Sequence, residues 1–476
     1  MKKFKLFIDN FLIYGFGGII SKVIPFVMLP IITRLMPDSA YMGIYDLSNT
    51  ILEFGKAIAI LGMYDAMYRM FFEKQEEDFK KKVCSTALMF TLMMSLDVFM
   101  IMIFFRGYIA HFFMGDRQYS YLICITAVAT LVGATNSIIS APTRMQNKRK
   151  VFLVTNTISP ILSYMVSIPL ILKGYFGIAL PLGAAISGVT LEVTFGILNH
   201  KWFRPKYFDL KLLKTLLYVA IPTVPCFLVY WIFGSCDRVM ITNMMGLGAA
   251  GIYSVGAKLG HASQLIYTAF AGGWQYFAFS TMKEENQTES NSIVFEYLGV
   301  IAFVASMFIS AWSYAIFKLL FVGEYTQGYV IAPYLFLSPL LQMLFQVVVN
   351  QFLVVKKTWP IPLILTCGAV LNIGIDFLLI PVLGIEGAAI STLLGYVVSV
   401  IIVCVVLTKM KLFITSKRFI IVSIVMAVFL VGWRLWFKEN ILIGTITAIT
   451  ASLICAMLYK DDLTALYNVI KKGNNR

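Results

Sequence analysis

The sequence predicts an all-α integral membrane protein of about fourteen transmembrane helices, built as two six-helix bundles related by an internal repeat plus two extra C-terminal helices. Three observations predict it. The 476 residues are 59% hydrophobic and only 13% charged, with a mean hydropathy of +0.82. Soluble domains carry about 25% charged residues, so this chain folds with lipid as its solvent. Apolar runs long enough to span a bilayer recur along the whole chain, each of about 20 residues. Two short motifs also recur at nearly one interval.

The spans follow in order, two between each pair of basic clusters. Spans 10–32 and 43–66 lie between Lys2/Lys3/Lys5 and Arg69–Lys82. Spans 83–105 and 119–141 run on to Arg144–Lys150, and 152–172 and 177–199 to Lys201–Lys214. Spans 215–234 and 249–273 end before Lys283, with 234–248 leaving room for a longer seventh helix. Spans 293–317 and 329–352 reach Lys356/Lys357, and 359–380 and 385–407 reach Lys409–Arg418. Spans 419–437 and 440–459 precede the Lys460–Arg476 tail. These clusters hold 28 of the 39 basic residues. The positive-inside rule then puts the clusters and both termini in the cytoplasm. The same distribution accounts for the net charge of +15 without nucleic acid, because no basic face belongs to a folded domain. All loops are short, and the longest, around Met282–Asn291, is too small for a catalytic domain.

The repeat sets the domain organisation. Met42-Gly-Ile-Tyr45 is echoed by Ala250-Gly-Ile-Tyr253, and Gly183-Ala-Ala-Ile-Ser187 by Gly387-Ala-Ala-Ile-Ser391. The motif intervals are 140 and 136 residues. An even number of helices per copy gives both copies one orientation, related by an axis along the membrane normal. The expected division is 1–200, 201–410 and 411–476, the last holding helices 13 and 14 with the tail.

Polar residues inside spans mark the candidate site, since a charge at the bilayer centre costs roughly 2.5–3.5 kcal/mol on insertion scales. Lys22, Lys56 and Lys258 stand deep in helices one, two and eight. Helix two carries Asp46, Asn49, Glu53 and Lys56 at steps of three, four and three, which places them on one face. Helix eight, the repeat equivalent, carries Ser254, Lys258, His261 and Thr268, with Gln264 at the stripe's edge. Helix ten adds Gln342, Gln346 and Asn350. A Glu53–Lys56 pair that neutralises itself, a packing histidine and amides gluing helices are the plainer readings. The paired stripes on repeat-related helices favour a cavity. Asp97, Glu192, Glu296 and Asp376 each stand alone in a span and leave a proton or cation coupling site open among them. Asp237 and Arg238 are adjacent, so they serve separate roles at an outer helix edge.

Several classes are excluded. The seven cysteines form no CxxC pair and read as small packing residues. Gly15, Gly17 and Gly18 sit inside a span and make no dinucleotide fingerprint. The Asn286-Gln-Thr288 sequon falls in a loop expected to be cytoplasmic. The first apolar run is long enough to span, which argues against a cleaved signal peptide. No metal cluster, nucleophile elbow or phosphate loop is present, so no cofactor and no enzyme activity are expected.

The segment Asn10-Phe-Leu-Ile-Tyr-Gly-Phe-Gly-Gly-Ile-Ile-Ser-Lys22, then Leu29-Pro-Ile-Ile-Thr-Arg34 and Tyr41-Met-Gly-Ile-Tyr45, resembles the start of bacterial polysaccharide exporters. These are the O-antigen and capsule flippases of the multidrug/oligosaccharidyl-lipid/polysaccharide superfamily. Asp237-Arg238, Ala250-Gly-Ile-Tyr-Ser-Val-Gly-Ala-Lys258 and Trp274-Gln275 continue the resemblance, which covers the whole chain. It implies two bundles around a cavity that opens alternately to each side of the bacterial cytoplasmic membrane. The cargo it implies is an undecaprenyl-pyrophosphate-linked oligosaccharide repeat unit, with a coupling ion (proton or sodium) and a polysaccharide polymerase as further partners. Basic residues typical of helices one, two and eight match Lys22, Lys56 and Lys258, here lysine in place of arginine, without the bidentate fork. A drug or cation antiporter of the sister family, with twelve helices and an acidic cavity, is the alternative. So is a cell-wall lipid precursor flippase. A glycan polymerase or ligase needs a large outer loop, which this sequence lacks.

Overall fold

The computed structural model describes residues 23–268, 270, 274, 286–355 and 357–464, and of Arg149 only the backbone. All regular structure among them is helical. Among the described residues, eleven helices are long and apolar enough to cross a membrane. The first predicted span is described only as α1, Val23–Leu35. The second is α2, Ala40–Ile60, whose Asp46, Glu53 and Lys56 keep it from being uniformly apolar. The chain is a multi-pass membrane protein.

The expected helix 43–66 is broken. Leu61 and Gly62 both take positive φ, 47° and 73°, and α3, Met63–Phe71, starts anew. Glycine is required at 62, because a Cβ there would stand 2.5 Å from Thr223 Oγ1 and 2.6 Å from the Ala220 carbonyl oxygen. Next come α4 (Glu77–Phe104), α5 (Arg106–Met114), α6 (Ser120–Met145), α7 (Arg149–Leu172) and α8 (Phe176–Asn199). The seventh span begins as α9, Leu210–Ala220. Asp209 caps it, its carboxylate accepting from the Leu212 and Lys211 amides. Those two bonds hold the Asp209 carboxyl below the usual carboxylate range. One tight turn, Ile221–Thr223, leads into α10, Val224–Met245. The seventh helix therefore runs through the 234–248 region. Asp237 is buried and Arg238 half-buried within this helix.

Further along lie α11 (Leu247–Gly260), α12 (Gln287–Leu320), α13 (Ala332–Val354), α14 (Pro360–Leu383), α15 (Ile385–Lys409), α16 (Lys417–Gly432) and α17 (Ile441–Leu458). They divide into two compact units. One is the chain up to Val255 with Asn372–Ala388; the other is Gly256–Leu371 with the chain from Ala389 on.

In the first unit α6 packs against α2, α4 and α8, α7 lies on α8, and α10 crosses α2 and α5. The start of α2 meets the start of α11 through glycines. A Cβ at Gly43 would stand 2.3 Å from the Leu247 carbonyl oxygen, and one at Gly251 1.8 Å from that of Ser39. These two glycines are the repeat equivalents in the Gly-Ile-Tyr motifs, and small residues are what let membrane helices approach so closely.

In the second unit α13 is the most enclosed span and packs on α12. The extra helices α16 and α17 also lie on α12. Phe419 of α16 sits against Gly299 and packs on Phe295 and Phe303. Arg418 reaches both Glu296 and Asp462 at 2.6 Å, and the Tyr459 hydroxyl donates to Glu296. Glu296 is therefore a buried carboxylate neutralised by its neighbours, which is how a charge becomes tolerable inside a membrane protein.

Candidate functional site

The first unit carries an open cavity of about 640 Å³, within the range of small-molecule sites. A second of about 430 Å³ adjoins it and shares Glu53, Lys56, Asn156 and Ser159. The walls are α2, α3, α6, α7 and α8, with Phe227 of α10. From α2 come Glu53 and Lys56, one turn apart. From α6 come Asn136, Ser140 and Arg144, each one turn after the last, and from α7 come Thr155, Asn156 and Ser159.

Several polar groups of the lining are already satisfied from the preceding turn. Ser137 donates to the Gly133 carbonyl at 2.9 Å, Thr155 to Val151 at 2.8 Å, and the Asn156 amide to Phe152 at 2.8 Å. Such bonds to the preceding turn let hydroxyls and amides stand in a membrane helix without a ligand. Their oxygens still accept, and Asn136 Oδ1 is buried with no donor among the described residues. Lys56 Nζ stands 3.4 Å from Glu53, so the self-neutralising pair expected as the plainer reading exists, and it exists inside a cavity. A partly open pair of this kind is worth roughly 0.2–1 kcal/mol.

The four-residue stripe on α2 divides. Glu53 and Lys56 open into the cavity. Asp46 is buried and paired with Arg238 of α10, which also donates to the Gly234 carbonyl. Asn49, between them, hydrogen-bonds Tyr45, which lines the smaller cavity. Asp237 does have a role separate from its neighbour, accepting from the Tyr253 hydroxyl at 2.6 Å. Asn372 and Asp376, like Asp237, are buried in this unit, and both acids act electrostatically on Tyr253.

Of the other lone acids, Asp97 is exposed on α4, while Glu192 accepts from the Thr135 hydroxyl at 2.7 Å.

In the second unit, Lys258, His261 and Gln264 are half-buried at the end of α11 and on the turn that follows it. Gly256 and Gly260 let this segment approach Ile331 and Leu335 closely, and the Ser263 hydroxyl donates to the Phe336 carbonyl at 2.7 Å. Gln346 accepts from the Tyr267 hydroxyl at 3.3 Å, and Asn350 is buried on α13. Lys22 lies outside the described residues.

Sequence reasoning missed Arg144, Asn136 and Asn156. Arg144 reads as a loop charge, although the steps of four from Asn136 through Ser140 already place it on the cavity face of α6.

Comparison with known proteins adds the following. A family model described as "Polysaccharide biosynthesis protein" matches residues 7–275. No curated protein matches the chain. The solved structure titled as the lipid II flippase MurJ in an inward closed conformation aligns with a TM-score of 0.74 at 17% identity, covering 95% of this chain and 100% of that one. An inward-facing multidrug resistance MATE family transporter of the MOP superfamily aligns at 0.67 and 13% identity, over 82% and 94%. MATE in complex with MaL6 aligns at 0.57 and 12% identity, over 85% and 95%. At these identities the likeness is one of fold.

Proposed function

The chain belongs to the polysaccharide biosynthesis protein family, and from that premise we propose that it is an alternating-access flippase. Its cargo is an undecaprenyl-pyrophosphate-linked oligosaccharide repeat unit, carried from the cytoplasmic to the outer leaflet of the bacterial cytoplasmic membrane. The observation that carries this reading is the polar cavity walled by α2, α3, α6, α7 and α8 inside a helical membrane protein. Sugars and pyrophosphate cannot enter hydrocarbon bare, because their hydration would be lost without replacement. Amides, hydroxyls and cations supply that replacement, while the polyprenyl tail stays in lipid.

In this reading the repeat-related halves, 1–200 and 201–410, rock against each other, and 411–476 adds the last helix pair. Both termini are cytoplasmic. Lys22, Lys56 and Lys258 contribute positive charge, with Asp46, Asn49, Glu53, His261, Gln264, Gln346 and Asn350 as the surrounding polar groups. The buried acids Asp237 and Asp376 are assigned to coupling by a proton or sodium ion. A polymerase on the outer face is the expected consumer of the cargo.

The test is transbilayer movement of a fluorescent lipid-pyrophosphate-linked oligosaccharide in vesicles containing the purified protein. Movement faster than in protein-free vesicles supports the reading; equal rates refute it. The fold shared with the lipid II flippase structure favours a second reading, a cell-wall precursor flippase. Faster movement of lipid II than of the oligosaccharide lipid, in the same vesicles, would select it.

A further inference from the structure

The first unit's cavity does not treat its two cations alike. Lys56 stands 3.4 Å from both Glu53 oxygens, so its charge is met within its own helix. Arg144, in the last turn of α6, lines the same cavity and is exposed. No carboxylate stands within ion-pair distance of it among the described residues; Asp65 lines the cavity too but makes no pair with it. One guanidinium nitrogen donates to the Tyr64 hydroxyl at 3.2 Å, and the guanidinium carbon lies 5.0 Å from the Phe152 ring centroid. Both partners line the cavity. They fix the guanidinium without neutralising it. A guanidinium has five N–H donors in a rigid fork, so most remain available to an anion.

Two turns deeper on the same face is Asn136, about 12 Å along the helix axis, with its buried and unpartnered carbonyl oxygen. There the surroundings are amides, hydroxyls and the Glu53–Lys56 pair, a setting that suits uncharged sugars. The charge order along α6 is thus an uncompensated fork at the helix end and neutral hydrogen-bonding groups beyond it.

We propose that Arg144, held by Tyr64 and Phe152, binds the diphosphate of the cargo, with the first sugars lying deeper against Asn136 and Asn156. This rests on the transport reading above. A fork meets two phosphate oxygens with two parallel N–H donors in a fixed plane, a geometry that a lysine ammonium lacks. The plainer role, a basic residue fixing topology at the cytoplasmic end of a span, needs charge alone.

The test separates the two roles by keeping the charge. Binding of farnesyl-diphosphate-linked N-acetylglucosamine and of its monophosphate counterpart is measured on wild type, R144K and R144Q in detergent. Wild type should prefer the diphosphate. R144K and R144Q should both lose about 10- to 100-fold in diphosphate affinity, the worth of a charge-assisted hydrogen bond. Should R144Q fail to fold, R144K alone decides, since it keeps the charge that topology requires. An R144K protein with the full diphosphate preference overturns the proposal. So does a wild type that binds both probes equally; if that protein still moves the oligosaccharide lipid in vesicles, the transport reading stands and only the role of Arg144 falls.

Discussion

Removing one member of the Asp46–Arg238 pair should damage the first unit more than removing both. Asp46 is 8% exposed and Arg238 reaches it from α10, with the Tyr253 ring 5.9 Å from the guanidinium. Asp46→Ala or Arg238→Ala leaves one buried charge without its partner, at a cost of about 3–5 kcal/mol. For a cooperative unit of some 250 residues, 1 kcal/mol corresponds to about 2 °C in melting temperature. Each single variant should therefore melt about 6–10 °C below wild type. The double variant Asp46→Leu/Arg238→Met removes both charges while keeping volume, and should recover most of the loss. The assay is thermal unfolding in detergent followed by intrinsic tryptophan fluorescence; Trp231, whose indole donates to the Thr50 carbonyl, reports on this interface. If the double variant melts as low as the worse single variant, the pair acts through packing and the electrostatic reasoning fails.

Other outcomes follow from the same geometry. Gly251→Ala forces a Cβ to 1.8 Å from the Ser39 carbonyl oxygen and should lower the melting temperature by about 2–6 °C, the usual cost of overpacking. Gly196→Ala, which meets nothing within 4 Å, should leave it unchanged. Lys22→Ala and Lys258→Ala should each abolish surface polysaccharide while the protein still reaches the membrane, scored by glycan staining and membrane blotting. The Asp209 cap has a depressed carboxyl, so its stabilisation is full above the ordinary carboxylate range and is lost as pH falls through the lowered value. Wild type should therefore melt above Asp209→Ala at neutral pH, and the two should converge in acid. Asp237→Asn and Asp376→Asn should retain downhill transport but lose its dependence on an imposed proton or sodium gradient.

Hydropathy, loop charge and repeated motifs made much of this protein legible in its sequence, because a bilayer imposes one solution on the backbone. Apolar runs must be helices, since no other open structure satisfies every amide in lipid. The Gly-Ile-Tyr echo marked Gly43 and Gly251 as equivalent without revealing that these glycines touch. The stripe on α2 was legible as a polar face, and Glu53 and Lys56 do open into a cavity. What the spacing does not encode is which neighbouring helix each member meets. Asp46 and Lys56 share a face by periodicity, yet one turns to Arg238 on a helix nearly two hundred residues away and the other to a cavity. Arg144 looked like one more cytoplasmic charge, because the rule that places basic residues at span ends explains it equally well. Only the packing of α6 beside α2 and α7 put its guanidinium in the cavity wall, and only the carboxylate beside Lys56 made Arg144 the uncompensated one. Periodicity and composition are local properties of the chain and survive in any fold; the partner of a charge is set by contacts between distant segments, and those exist only once the helices have packed.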